Sequence, residues 1–375
     1  MVMTVNKMKN KNKNLKNNNI IFIIEIFGLS AAAVCLSVIS SVLFIDLIGV
    51  LCIIAAAALF ACVLFLWNPS MIIISGIASF AITFAMSGDI INALASLIYI
   101  IIGSLIYFGV RNKKNRTQIT VGITVVLVLF HIALIILSFL LSTGTFSIDM
   151  VSSAIDSELE QFTNFFINFI NSAPAQTESV AETTAQNAYL VEAYAQELVL
   201  NLKALIPSAF VLYAAFIAYF ATVIFKSAYN IFIPMAHPNR KKIKNKYWRL
   251  NISSVSAVIT IAAIFFAVLF SKEILPSIVL TNLIYILAPG FCIVGLYFVY
   301  DKIFKAKSGI FPVMLIVGAI IFAFMLPVVL FAAIILLMSV GLYATLIDDI
   351  KKFFEKAKKT LLGDGDDDDD DDYID

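Results

Sequence analysis

The chain has 375 residues, of which 61% are hydrophobic and 14% charged; a soluble domain runs near half apolar and a quarter charged. With a net charge of +1 and four cysteines that show no CxxC-type spacing, this excludes a soluble enzyme, a disulfide-stapled secreted domain and a nucleic-acid binder. An all-α, polytopic transmembrane helical bundle remains, with the lipid bilayer as its first partner.

In chain order, residues 1–19 form a Lys- and Asn-rich tail of low complexity. Apolar windows then predict spans at 20–42, 43–66, 69–87, 89–110 and 119–142, which make up a first membrane half, 20–142. The 20–42 segment reads as a retained anchor, because its basic region is long and further spans follow at once.

Residues 143–204 are the one long external stretch, with eight acids against a single base, Lys203. Ile148, Val151, Ile155, Leu159, Phe162, Phe166 and Phe169 step by three and four, so they mark one face of an amphipathic helix. Ser172, Ala173 and Pro174 interrupt it, and Tyr189 to Lys203 predicts a second helix that can run into the sixth span at Pro207. Two readings stand: a lid or partner surface over an external entrance, or a helix lying on the outer leaflet or packed on the bundle.

A second membrane half, 205–347, carries spans at 205–227, 250–270, 277–300, 309–326 and 328–347. As one helix, 309–347 would reach roughly 58 Å, about twice the hydrocarbon thickness, so Pro327 is expected to divide it. Residues 348–375 begin with an interfacial helix over 351–362, where lysines alternate with Phe353, Phe354, Leu361 and Leu362. They end in an acidic tail of solvated, self-repelling aspartates.

Charge placement sets the orientation. Starting from a cytoplasmic N-terminus, 24 of the 26 bases fall on the inside and only Lys203 and Lys272 outside. About ten spans with both termini cytoplasmic satisfy that distribution, since one span more or fewer would reverse everything after it.

Polar groups at bilayer depth are where function is sought first. Glu25 lies about six residues into the first span, either buried or reaching back to the inner headgroups. Asp46 and Asp89 fall at expected external turns. His131, in the fifth span, and Asn282, in the eighth, are candidate substrate-binding or proton-relay groups; each could equally make an interhelical hydrogen bond. Ala33, Ser37 and Ser41 form a small-residue stripe that lets another helix approach, in this chain or in a partner. Tyr247-Trp248-Arg249 reads as an interfacial anchor. No catalytic motif appears, whether Walker A, HExxH, GxSxG or paired carboxylates, nor any cofactor or metal signature, so the chain is not expected to be an enzyme.

The second half resembles a known family. Leu202-Lys203-Ala204-Leu205-Ile206-Pro207-Ser208-Ala209, Tyr247-Trp248-Arg249-Leu250, Asn282-Leu283 and Gly295-Leu296-Tyr297-Phe298-Val299-Tyr300 together resemble the YybS-like family of uncharacterised bacterial multi-pass membrane proteins. That family is similar to the S subunits of energy-coupling-factor transporters. The resemblance implies a bacterial cytoplasmic membrane protein that binds or moves a small-molecule ligand, with the Ala33, Ser37 and Ser41 stripe docking a transmembrane coupling subunit. Two other functions fit the sequence: a stand-alone secondary transporter built as inverted halves, and a non-transporting membrane organiser acting through its external loop and tails.

Overall fold

The computed structural model describes residues 28–40, 47–172, 181–236, 242–243, 248–301 and 327–362. Glu25, Ser41, Asp46, Tyr247, the N-terminal and acidic tails and the expected 309–326 span lie outside the described residues. Among those described, the regular structure is helical: α1 (Gly28–Ser40), α2 (Leu47–Leu66), α3 (Met71–Ser87), α4 (Ile90–Ala95), α5 (Ile98–Arg111), α6 (Arg116–Thr143), α7 (Ile148–Ser172), α8 (Ala181–Ala236), α9 (Ser254–Leu269), α10 (Ile274–Val299) and α11 (Pro327–Leu362).

Five segments are long and apolar enough to cross a membrane: Ile48–Leu66, Ile90–Arg111, Arg116–Thr143, Val199–Pro234 and Ile274–Val299. Four shorter apolar helices accompany them, at Gly28–Ser40, Met71–Ser87, Ser254–Leu269 and Ala332–Ile347. Within the described residues, a helix occupies each expected span that they reach. One expected boundary is absent, and one expected continuation is present, the second loop helix running into the sixth span. The second loop helix and the sixth span are one 56-residue helix, α8, roughly 84 Å long. The 351–362 interfacial segment continues α11 without a break, and the expected division at Pro327 borders residues outside those described.

The chain divides into two compact units. The first holds α1 to α5, α6 as far as Ser138, and Tyr213–Asn251. Its centre is the packing of α2 on α5. Ala56, Ala57, Ala58 and Ala61 are fully buried, and Gly103 of α5 comes so close that an added Cβ would sit 2.9 Å from the Ala57 carbonyl oxygen. Small residues on both sides are what permit this approach. Between α3 and α4, Gly88 takes a left-handed φ of 65° and its N–H caps the Phe84 carbonyl. Asp89 then opens α4, its Oδ1 accepting from the Ile91 N–H at 2.9 Å. The second unit holds Phe139–Leu212 and Ile252–Leu361. There α9 packs on α10. Against α11, Gly295 and Gly341 face each other's backbone: a Cβ on Gly341 would meet the Phe291 carbonyl, and one on Gly295 the Leu337 carbonyl.

Candidate functional site

Helix α3 is built inside out. Ser75, Ser79 and Thr83 are four residues apart, so they share one face, and that face is the buried one. The opposite face shows Ile73, Ile74, Ile77 and Met86 at 60–67% exposure. Water would invert that arrangement; hydrocarbon around the unit accounts for it.

Other hydroxyls meet this face. Ser37 of α1 donates to the Val34 carbonyl at 2.9 Å, with its Oγ 3.4 Å from Ser79 Oγ. Ser79 Oγ is 2.7 Å from the Tyr99 hydroxyl, which also reaches the Ser75 carbonyl at 3.4 Å. Phe60 holds the Tyr99 ring edge to face, with centroids 5.4 Å apart. Among the described residues, Thr83 Oγ1 and Ser30 Oγ are buried and find no hydrogen-bond partner. A buried hydroxyl left so costs about 1–3 kcal/mol, an unusual state in a cluster otherwise well paired.

The residues singled out from sequence fall as follows. Ala33 and Ser37 are buried within the first unit, and Ser37 faces α3 of the same chain. His131 is buried on the same α6 stripe as Ile123 and Leu127, its Nδ1 2.7 Å from the Leu127 carbonyl. A carbonyl only accepts, so Nδ1 carries a proton and Nε2 is the acceptor of the neutral ring. Tyr213 packs edge-on to the imidazole at 5.9 Å. Asn282 lies in the second unit; its Oδ1 accepts from the Ser208 N–H, and its Nδ2 donates to the Ala204 and Ile278 carbonyls. Both amide hydrogens are therefore engaged by protein. Among the described residues, no three His, Cys, Asp or Glu side chains converge as a metal site would require, and none of the four cysteines forms a disulfide.

Two features were missed by sequence reasoning. The Ser75, Ser79 and Thr83 spacing was visible, but hydroxyls do not stand out in a search for ionisable groups. Arg116 counted only as one more inside charge, yet it is 2% exposed. Its Nε donates to Thr222 Oγ1 at 3.1 Å, and its two Nη groups to the Trp248 and Tyr219 carbonyls at 3.4 and 3.3 Å. The guanidinium carbon sits 4.3 Å from the Tyr219 ring centre. Trp248 is buried, its indole N–H donating to the Thr222 carbonyl at 3.0 Å.

Apolar exteriors around hydroxyl-bearing, small-residue interiors define an α-helical integral membrane protein. The chain belongs to the family described as "Predicted membrane protein (DUF2232)", whose model matches residues 31–337. No curated protein and no solved structure matches it.

Proposed function

We propose that this chain is a non-catalytic bacterial cytoplasmic membrane protein that binds a small, uncharged polar molecule inside its bundle, as the S-subunit-like membrane component of a transporter. The hydroxyl cluster of Ser37, Ser75, Ser79, Thr83 and Tyr99 supports the reading, above all the buried Thr83 Oγ1, which finds no hydrogen-bond partner among the described residues. Neutral donors and acceptors in a low-dielectric interior suit a polar but uncharged guest. The family model agrees with the YybS-like resemblance, and the lack of any catalytic motif supports a role in binding. Ten spans with both termini cytoplasmic are the topology that accompanies this reading, on the strength of the charge segregation. A coupling subunit would dock away from Ala33 and Ser37, which the first unit already covers.

Native mass spectrometry of the protein released from nanodiscs tests the proposal. A co-purified small molecule is expected in the wild type, depleted in Thr83→Val and Ser79→Ala; a monodisperse preparation with neither ligand nor partner subunit would sink it. A second reading, a membrane organiser acting through its external helices, draws on the Lys203–Asp156 ion pair that ties α8 to α7. Deleting residues 148–200 discriminates: loss of function with the membrane core intact favours the organiser.

A further inference from the structure

Proline 207 lies inside α8. It has no N–H for the Lys203 carbonyl, and its ring presses on that carbonyl, so the helix is weakened there. Ser208 adds to the disturbance, because its hydroxyl donates to the Leu205 carbonyl at 2.8 Å. In an unbroken helix the Ser208 N–H would bond to the Ala204 carbonyl. Here one side chain from α10 engages both groups: Asn282 Oδ1 accepts from the Ser208 N–H at 2.9 Å, and Nδ2 donates to the Ala204 carbonyl at 2.7 Å. The second Nδ2 hydrogen goes to the Ile278 carbonyl at 2.9 Å, one turn back on α10. That third bond fixes the amide's orientation, since a flipped amide would set its oxygen against two carbonyls. A side chain inserted into the i→i−4 ladder is a recognised cause of helix bending.

We propose that Ala204–Ser208 is a hinge in α8 and that Asn282 is its latch, a positioning residue that carries the hydrogen-bond ladder across the proline. Whether α8 is continuous or open at this point is then set by whether α10 presents the amide. The residue beside the hinge, Lys203, is paired to Asp156 of α7, so opening the latch loosens a segment that α7 already holds. The inference is independent of what the bundle binds.

Site-resolved hydrogen exchange on the full chain in nanodiscs tests it. Asn282→Leu is expected to speed exchange at the amides of residues 205–211 by about 10- to 100-fold, the equivalent of one or two lost net hydrogen bonds, with α9 amides unchanged. In the Pro207→Ala background α8 regains its own ladder, so adding Asn282→Leu should then change exchange there by less than about threefold. Should Asn282→Leu fail to fold, Asn282→Asp serves, since it keeps the acceptor for Ser208 but has no amide hydrogens for Ala204 and Ile278. Unchanged exchange at 205–211, a rise spread evenly over α9 and α10, or a failure of Pro207→Ala to suppress the effect would each overturn the latch.

Discussion

The meeting of α10 and α11 allows a quantitative test. Gly295 and Gly341 each leave room for the other helix's backbone, so Gly341→Ala should force the helices apart rather than merely rearrange side chains. An added Cβ at 341 would sit 2.7 Å from the Phe291 carbonyl carbon, whereas ordinary contact begins at 3.4 Å. The Phe291 carbonyl oxygen lies nearer still, so the helices must separate by more than about 0.7 Å, and a gap of that size already forfeits a quarter to a half of each atom pair's dispersion energy. If the seam holds about as many pairs as one buried leucine makes, roughly 40–60 at 0.1–0.2 kcal/mol each, the loss is about 1–6 kcal/mol. The double variant Gly295→Ala, Gly341→Ala should cost little more than either single one, because the first substitution has already opened the seam. Equilibrium unfolding in mixed detergent micelles measures all three. Neutral single variants, or strictly additive ones, would refute the backbone-contact argument.

Further expectations concern the first unit and the external helices. Arg116→Lys keeps the charge but cannot reproduce the three-way guanidinium geometry over Tyr219; a loss of about 2–4 kcal/mol in unfolding free energy is expected. Gly88→Ala places a Cβ at a left-handed φ of 65° and should cost about 1–2 kcal/mol, with Gly88→Asn closer to wild type in the same assay. Lys203→Gln breaks an ion pair whose side chains are 40% and 53% exposed, so its effect should stay within about 0.2–1 kcal/mol and vanish in high salt.

Hydropathy made the helices legible. Spans expected at 43–66, 69–87, 119–142 and 277–300 correspond to α2, α3, α6 and α10 within a few residues, because the cost of burying a free peptide group in lipid leaves few alternatives to a helix. Helix joints were less legible. The run of the second loop helix into the sixth span was readable, but local composition cannot report a neighbour that bridges Pro207. Asn282 was readable as a group needing partners, but those partners lie 74 and 78 residues away, and a single sequence carries no sign of that pairing. Arg116 and Trp248 illustrate the same limit: their residue types suit a membrane surface, and their burial follows from hydrogen bonds to Thr222 and, for Arg116, from its place over the Tyr219 ring, which a single sequence does not announce.

The bridge between Ser208 and Asn282 also bears on how the chain is made. Synthesis proceeds from the N-terminus, and 74 residues separate the two. At ordinary elongation rates of about 5–20 residues per second, roughly 4–15 s pass between them. During that interval α8 has entered the membrane with the Ser208 amide and the Ala204 carbonyl still waiting for their partner. Until then the two groups can pair only with each other, across the turn that Pro207 weakens, or with water, and a ribosome stalled before residue 282 would hold the nascent chain in that unlatched state.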